Sequence, residues 1–234
     1  MNNREINKKI LKIFGVIFGV LIVMIIIGGI VGEDSQPEKK SEQEQQQGTP
    51  EQVQQEEPEP QLDNIKYKTV KMPDGKIWFA ENLNEAIGNS PCYENKEENC
   101  EKCGRLYDWE TAMKACPKGW HLPSQTEWEN LKNATGGTET AGGNLKSKSG
   151  WSSIRDGSPG NGTDKYGFSA ISCGEGYTTG RFKFYGTSAS LWSATVDTDT
   201  TAFITLFVGY SAGMGGPYTG HKSELYSVRC VKDN

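Results

Sequence analysis

Ala115-Cys116-Pro117-Lys118-Gly119-Trp120-His121-Leu122-Pro123-Ser124-Gln125-Thr126-Glu127-Trp128 decides how this chain folds, because it stops one helix and starts another. Upstream of it, Asp108 can accept from the amides of a first helical turn, and Trp109, Ala112, Met113 and Cys116 follow at helical spacing. Pro117 lacks the amide needed to continue that helix. Downstream, Ser124-Gln125-Thr126-Glu127 is a capping box: the serine accepts from the Glu127 amide while the glutamate reaches back to the Ser124 amide. Trp128 and Leu131 then share one helical face, and Gly136-Gly137 is expected to end the helix.

On the N-terminal side, Tyr67-Lys68-Thr69-Val70-Lys71-Met72 and Lys76-Ile77-Trp78-Phe79 flank Pro73-Asp74-Gly75, whose Asp-Gly suits a hairpin turn. On the C-terminal side the chain becomes rich in Gly, Ser, Thr and Tyr, with short strand-like runs at 182–185, 191–195, 202–208 and 226–231. Helices early and strands late predict an α+β domain with two short helices, many short strands and no internal repeat. Three long loops are expected, at about 140–165, 172–181 and 209–222. Long loops in a compact domain are where binding usually resides.

The chain divides by composition into 1–12, a basic tail; 13–32, an uncharged apolar run; 33–63, a Gln/Glu/Pro-rich segment; and 64–234, ordinary globular sequence. Twenty apolar residues at about 1.5 Å rise cover roughly 30 Å, a hydrocarbon core. Arg4, Lys8, Lys9 and Lys12 precede the run and Glu33 and Asp34 follow it, so the expected topology is a single-pass anchor with a cytoplasmic N-terminus. A cleaved signal peptide, with Gly28-Gly29-Ile30-Val31-Gly32 imitating its cleavage site, is the competing reading. Residues 33–63 hold nine Gln, four Pro and ten acids, and such a segment cannot bury enough surface to offset its ordering entropy. It reads as a disordered stalk. From 64 onward 19 basic side chains balance 19 acidic ones, which leaves no basic stripe for nucleic acid.

With Trp78-Phe79-Ala80-Glu81-Asn82-Leu83, Gly104-Arg105-Leu106-Tyr107-Asp108-Trp109, the Cys116 to Pro123 stretch, Tyr166-Gly167-Phe168-Ser169-Ala170, Leu191-Trp192-Ser193-Ala194-Thr195 and Val228-Arg229-Cys230-Val231 assembled, the chain resembles the Fibrobacter succinogenes major paralogous domain. The likeness runs from about Tyr67 to Asp233. It implies an exported, surface-associated bacterial protein and no defined activity. More distantly, Leu122-Pro123-Ser124 through Glu127-Trp128-Glu129, with Arg229-Cys230-Val231, is similar to the formylglycine-generating, sulfatase-modifying enzymes. That resemblance implies a C-type-lectin-like fold. Those enzymes use a copper-binding Cys-x4-Cys pair; Cys230 matches its second position, but Leu225 stands at the first, so the activity is not carried over.

Six cysteines in an exported domain point to disulfides. Cys92 and Cys100 bracket a short loop, and Cys116 with Cys230 would tie the domain's ends; the family resemblance favours both pairs. Cys103 and Cys173, additions to the family's usual four, suggest a third. The rival is zinc on Cys92, Cys100, Cys103 and Cys116; a redox role for Cys100-x-x-Cys103 lacks a βαβ context. His121 and His221 both have bland readings, packed and solvated respectively, and no Gly-x-Ser-x-Gly elbow occurs. Paired carboxylates are left open, since separation in space decides them. Asp156, Asn161 and Asp164 are candidate calcium ligands, although Asx-rich turns look the same; no other cofactor is expected. Trp151, Tyr177, Tyr185, Tyr210 and Tyr218 lie in or beside Gly-rich loops and, if exposed, would stack sugar rings or peptide. The expected function is therefore a non-catalytic binding or adhesion module, for glycan or peptide, in the periplasm or at the cell surface. The alternatives are an envelope scaffold without a ligand and, in third place, an oxidase-like enzyme of the sulfatase-modifying group.

Overall fold

The structure is a computed structural model that describes residues 65–152, 157–158 and 160–234. The expected anchor at 13–32 and stalk at 33–63 lie outside the described residues, among which no helix is long and apolar enough to cross a membrane.

The described chain is a mixed helix and sheet domain with two sheets. The predicted hairpin forms as β1 (Thr69–Lys71) and β2 (Ile77–Phe79). Asp74 in its turn accepts from the Lys76 amide and from the Trp78 indole, both at 3.0 Å. Helix α1 (Glu97–Cys103) follows, then α2 (Trp109–Ala115), capped by Asp108 accepting from the Thr111 amide. After β3 (Trp120–His121) the capping box opens α3 (Gln125–Ala134), and α4 (Gly137–Leu145) follows at once. The second half supplies β4 (Cys173–Gly176), β5 (Phe182–Tyr185), β6 (Ser188–Val196), β7 (Thr201–Val208), β8 (Tyr218–His221) and β9 (Val231–Lys232). One sheet runs β1-β2-β9-β3; the other runs β5-β4-β6-β7-β8.

Among the described residues, four α-helices therefore stand where two were expected. Gly136 and Gly137 do not end the helical region but hinge it, both at positive φ, so that α3 stops and α4 restarts. All three expected loops are thereby shortened, by α4 within 140–165, by β4 within 172–181 and by β8 within 209–222. The run at 226–231 is regular strand only at its end. Before that, Leu225, Tyr226 and Ser227 make isolated bridges to Gly176, Tyr107 and Leu191, carrying the chain from one sheet to the other.

Alternation along the strands divides the core. Successive strand side chains face opposite ways, so Phe79 joins Tyr67, Trp109, Trp120 and Trp192 on one side. Its neighbour Trp78 joins Trp128, Trp151, Phe168 and Phe207 on the other. Cys230 and Val231 repeat the split. Between the two cores lies the fully buried Arg229, which donates to the Phe79, Phe168 and Ser169 carbonyls and to Asn82 Oδ1. Three disulfides close the fold: Cys92–Cys100, Cys103–Cys173 and Cys116–Cys230, the pairing expected above.

Candidate functional site

The aromatic residues expected to form a ligand surface do not lie together. Trp151 is a correction. Only 5% exposed, its indole donates to Ser147 Oγ and the Ala170 carbonyl, so it is core; its Gly- and Ser-rich surroundings turn it inward, not outward. Tyr177 is half-buried and tied through its hydroxyl to Glu175, with Lys183 Nζ 5.4 Å from its ring centre. Tyr185 is exposed on the edge strand β5, tilted against Tyr93 at 5.1 Å. Tyr210 and Tyr218 lie at the other end of the same sheet, and these two do converge.

They line a groove of about 460 Å³ between the N-terminal turn of α4, the end of β7 and the 209–218 segment. That volume falls in the usual range for small-molecule sites. Leu206 and Val208 lie on β7; Thr138 and Glu139 belong to α4; Ser211, Ala212, Gly213 and Gly215 complete the lining. Tyr210 is 76% exposed, the most exposed of the large apolar side chains among the described residues. Glu139, the one ionisable group besides the two phenols, faces solvent.

This wall is irregular chain, and its backbone is nonetheless fixed. The Gly143 amide donates to the Ala212 carbonyl at 2.6 Å and the Met214 amide to the Thr138 carbonyl at 2.9 Å, pinning the segment on α4. The approach needs glycine: a Cβ on Gly142 would stand 2.1 Å from the Gly213 carbonyl oxygen. Met214 is buried in the second core. Beneath the segment, the buried Lys146 ammonium donates to the Val208 and Ser211 carbonyls at 3.0 and 2.9 Å. The sequence singled out neither Lys146 nor the glycine pair. The Gly-Gly in an otherwise helical Thr140-Ala141-Gly142-Gly143-Asn144-Leu145 was the available signal.

The remaining candidates are placed as follows. Asp156 lies outside the described residues. Asn161 Oδ1 accepts from the Trp151 amide, and both Asp164 oxygens accept from Ser169, so these oxygens are already engaged in hydrogen bonds within the protein. All four cysteines of the zinc alternative are in disulfides. Among the described residues, the one cluster with metal-ligand spacing is Cys92, Glu97 and Cys100, whose two sulfurs are bonded to each other.

His121 sits between two carboxylates, Nδ1 2.6 Å from Asp233 and Nε2 3.0 Å from Glu127. Burial pushes its pKa down, but the hydrogen bonds to Asp233 and Glu127 outweigh this and the net shift is upward. For Glu127 burial acts upward and is outweighed by bonds from Ser124 and His121, giving a net fall. Lys76 Nζ lies 3.2 Å from the same carboxylate. His221 is exposed at the end of β8, 2.6 Å from Ser223 Oγ. Leu225, at the position of the missing copper-site cysteine, packs with Tyr93 and Leu106.

A family model described as the Fibrobacter succinogenes major domain matches residues 70–232. No curated protein and no solved structure matches the chain.

Proposed function

We propose that this chain, which belongs to the Fibrobacter succinogenes major domain family, is a membrane-anchored, extracytoplasmic, non-catalytic binding module that holds uncharged sugar rings in the Tyr210–Tyr218 groove. The carrying observation is the convergence of two exposed tyrosines on a groove whose other walls are Leu206, Val208, Ala212, glycine backbone, Thr138, Ser211 and a single carboxylate, Glu139. Phenol faces suit the apolar faces of sugar rings, while hydroxyls, carbonyls and one carboxylate suit their hydroxyl groups. With no cation in the lining, a phosphorylated or strongly acidic ligand gains no charge pairing there. Export is favoured by the use of all six cysteines in bridges, which persist in oxidising compartments. A C-type-lectin-like classification of the fold belongs to the same reading, as does display on a stalk behind a single-pass anchor.

The test is a glycan array together with pull-downs on bacterial and plant cell-wall polymers, run with the wild-type protein and with Tyr210→Ala, Tyr218→Ala and Tyr185→Ala. Losing one stacking face should weaken binding about tenfold, or about 1.4 kcal/mol. Tyr185→Ala, at the far edge of the sheet, should bind as wild type. Binding that survives both groove substitutions, or no binding to any polymer, would overturn the assignment.

A further inference from the structure

Lys146, immediately after α4, is 2% exposed and directs its side chain inward. Its Nζ lies 2.9 Å from the Gly160 carbonyl, 3.0 Å from Val208, 3.4 Å from Gly209 and 2.9 Å from Ser211. The Trp151 ring centre is 5.0 Å away. Four carbonyl oxygens from two separate loops thus converge on one point. Oxygens so arranged repel one another unless something positive sits among them, and a hard metal cation commonly fills that role. Here a tethered ammonium fills it. Three of the four oxygens belong to the residues on either side of Tyr210, so the ammonium fixes the backbone that carries this ring.

We infer that Lys146 is the positioning residue of the groove, an internal cation that holds the Val208–Ser211 carbonyls and thereby sets Tyr210. The role of the groove as a sugar site rests on the reading given above; the positioning role does not, and its test needs no ligand. The geometry also explains why the sequence around Tyr210 is free to be poor in large side chains. Val208-Gly209-Tyr210-Ser211-Ala212-Gly213 offers little that could anchor it by packing, and its anchors are instead backbone groups gripped from below by Lys146 and from the side by α4.

In the full-length native protein, reductive methylation followed by peptide mass mapping should modify Lys146 at least about tenfold more slowly than the exposed Lys148, since the cage must open first. In Lys146→Met, amide hydrogen exchange at residues 209–214 and at Gly143 should rise about a hundredfold, while the β6–β7 ladder keeps its protection. In Lys146→Ala, ammonium or methylammonium chloride should restore that protection and tetramethylammonium chloride should not, because only the first two can donate to the carbonyls. Equal methylation of Lys146 and Lys148, unchanged exchange at 209–214, a uniform rise across the whole domain, or rescue by tetramethylammonium as good as that by ammonium would each overturn the inference. If Lys146→Met does not fold, the methylation result on the native protein decides. A loosened 209–214 segment in a protein that binds no glycan would overturn the sugar assignment and leave this one standing.

Discussion

Gly142→Ala tests whether the groove wall depends on close approach between two backbones. In an isolated helix the change would be favourable by about 1 kcal/mol, because alanine loses less backbone entropy than glycine. Here the added Cβ would stand 2.1 Å from the Gly213 carbonyl oxygen and 2.9 Å from that of Ala212, and neither backbone atom can rotate away. The 209–214 segment would have to lift by about an ångström. That would break the Gly143–Ala212 and Met214–Thr138 hydrogen bonds, at about 1 kcal/mol each, with overpacking adding about 1–3 kcal/mol. Subtracting the propensity gain leaves a net loss of about 2–4 kcal/mol, or a fall in Tm of about 4–16 °C for a domain of this size. Gly143→Ala is the internal control. Its Cβ would stand 3.2 Å from the Ala212 methyl and at ordinary contact, 3.5 and 3.6 Å, from the Ala212 Cα and carbonyl oxygen, an approach relieved by a shift of a few tenths of an ångström, so the change should be near neutral. Thermal unfolding with the disulfides intact measures both. If Gly142→Ala is as stable as Gly143→Ala, or more stable than wild type, the close-approach argument is wrong.

Two further outcomes follow from the bridges and the His121 cluster. On loop-closure entropy the 114-residue separation of Cys116–Cys230 and the 70-residue separation of Cys103–Cys173 are worth about 4.8 and 4.4 kcal/mol, against about 2.5 kcal/mol for the eight-residue separation of Cys92–Cys100. Paired Cys→Ala variants in denaturant unfolding should therefore rank Cys92–Cys100 as the least costly loss, and finding it the most costly would refute the ranking. His121, raised in the folded state, contributes stability that is complete below its unfolded value of 6.5 and is lost as pH rises through the folded value; Glu127, lowered, contributes above 4.5 and is lost as pH falls through its own folded value. Tm should thus include a contribution from this pair that is greatest between those limits, and His121→Gln should remove its alkaline decline and shrink the acid limb without abolishing it, because Ser124 still donates to Glu127.

The elements legible in the sequence are those whose causes are local. The capping box needs only Ser124 and Glu127, three residues apart, and the hairpin needs only Asp74 and Gly75 between alternating strands. The elements that escaped notice are held by distant partners. Helix α4 contains glycines at 137, 142 and 143, a composition that reads as loop, and it persists because Gly142 and Gly143 let the 212–214 backbone dock on it. Helix α1 carries Glu97, Glu98, Glu101 and Lys102 with little apolar periodicity; it is pinned by Cys100 and Cys103, whose partners lie outside it. Trp151 reads as a surface ring from its neighbours and is buried by Ala170 and Phe207, which no local window contains. Tyr210 and Tyr218 could be nominated one by one, but their convergence follows from the β7–β8 pairing, in which Ile204 faces Tyr218.

Lys146 and Arg229 solve the same physical problem at two places in the domain. Much of the second half is irregular backbone, and buried carbonyls without a ladder partner must find a donor elsewhere. Arg229 supplies donors to the Phe79, Phe168 and Ser169 carbonyls, and Lys146 supplies them to Gly160, Val208, Gly209 and Ser211. Burying either charge costs several kcal/mol, and burial pushes both pKa values down, that of Arg229 to about 9. Each is partly offset by an aromatic face, Phe168 at 4.6 Å from Arg229 and Trp151 at 5.0 Å from Lys146. An apolar replacement would avoid the desolvation but leave three carbonyls without donors at either place, since Val208 keeps the Ser211 amide, each worth about 1–3 kcal/mol. The loops are therefore ordered from within by cations as well as by the few side chains, Trp151, Phe168 and Met214, that they send into the core. A groove walled by such a loop presents its tyrosines already in place, so that a ligand would gain stacking without first ordering the segment that carries it.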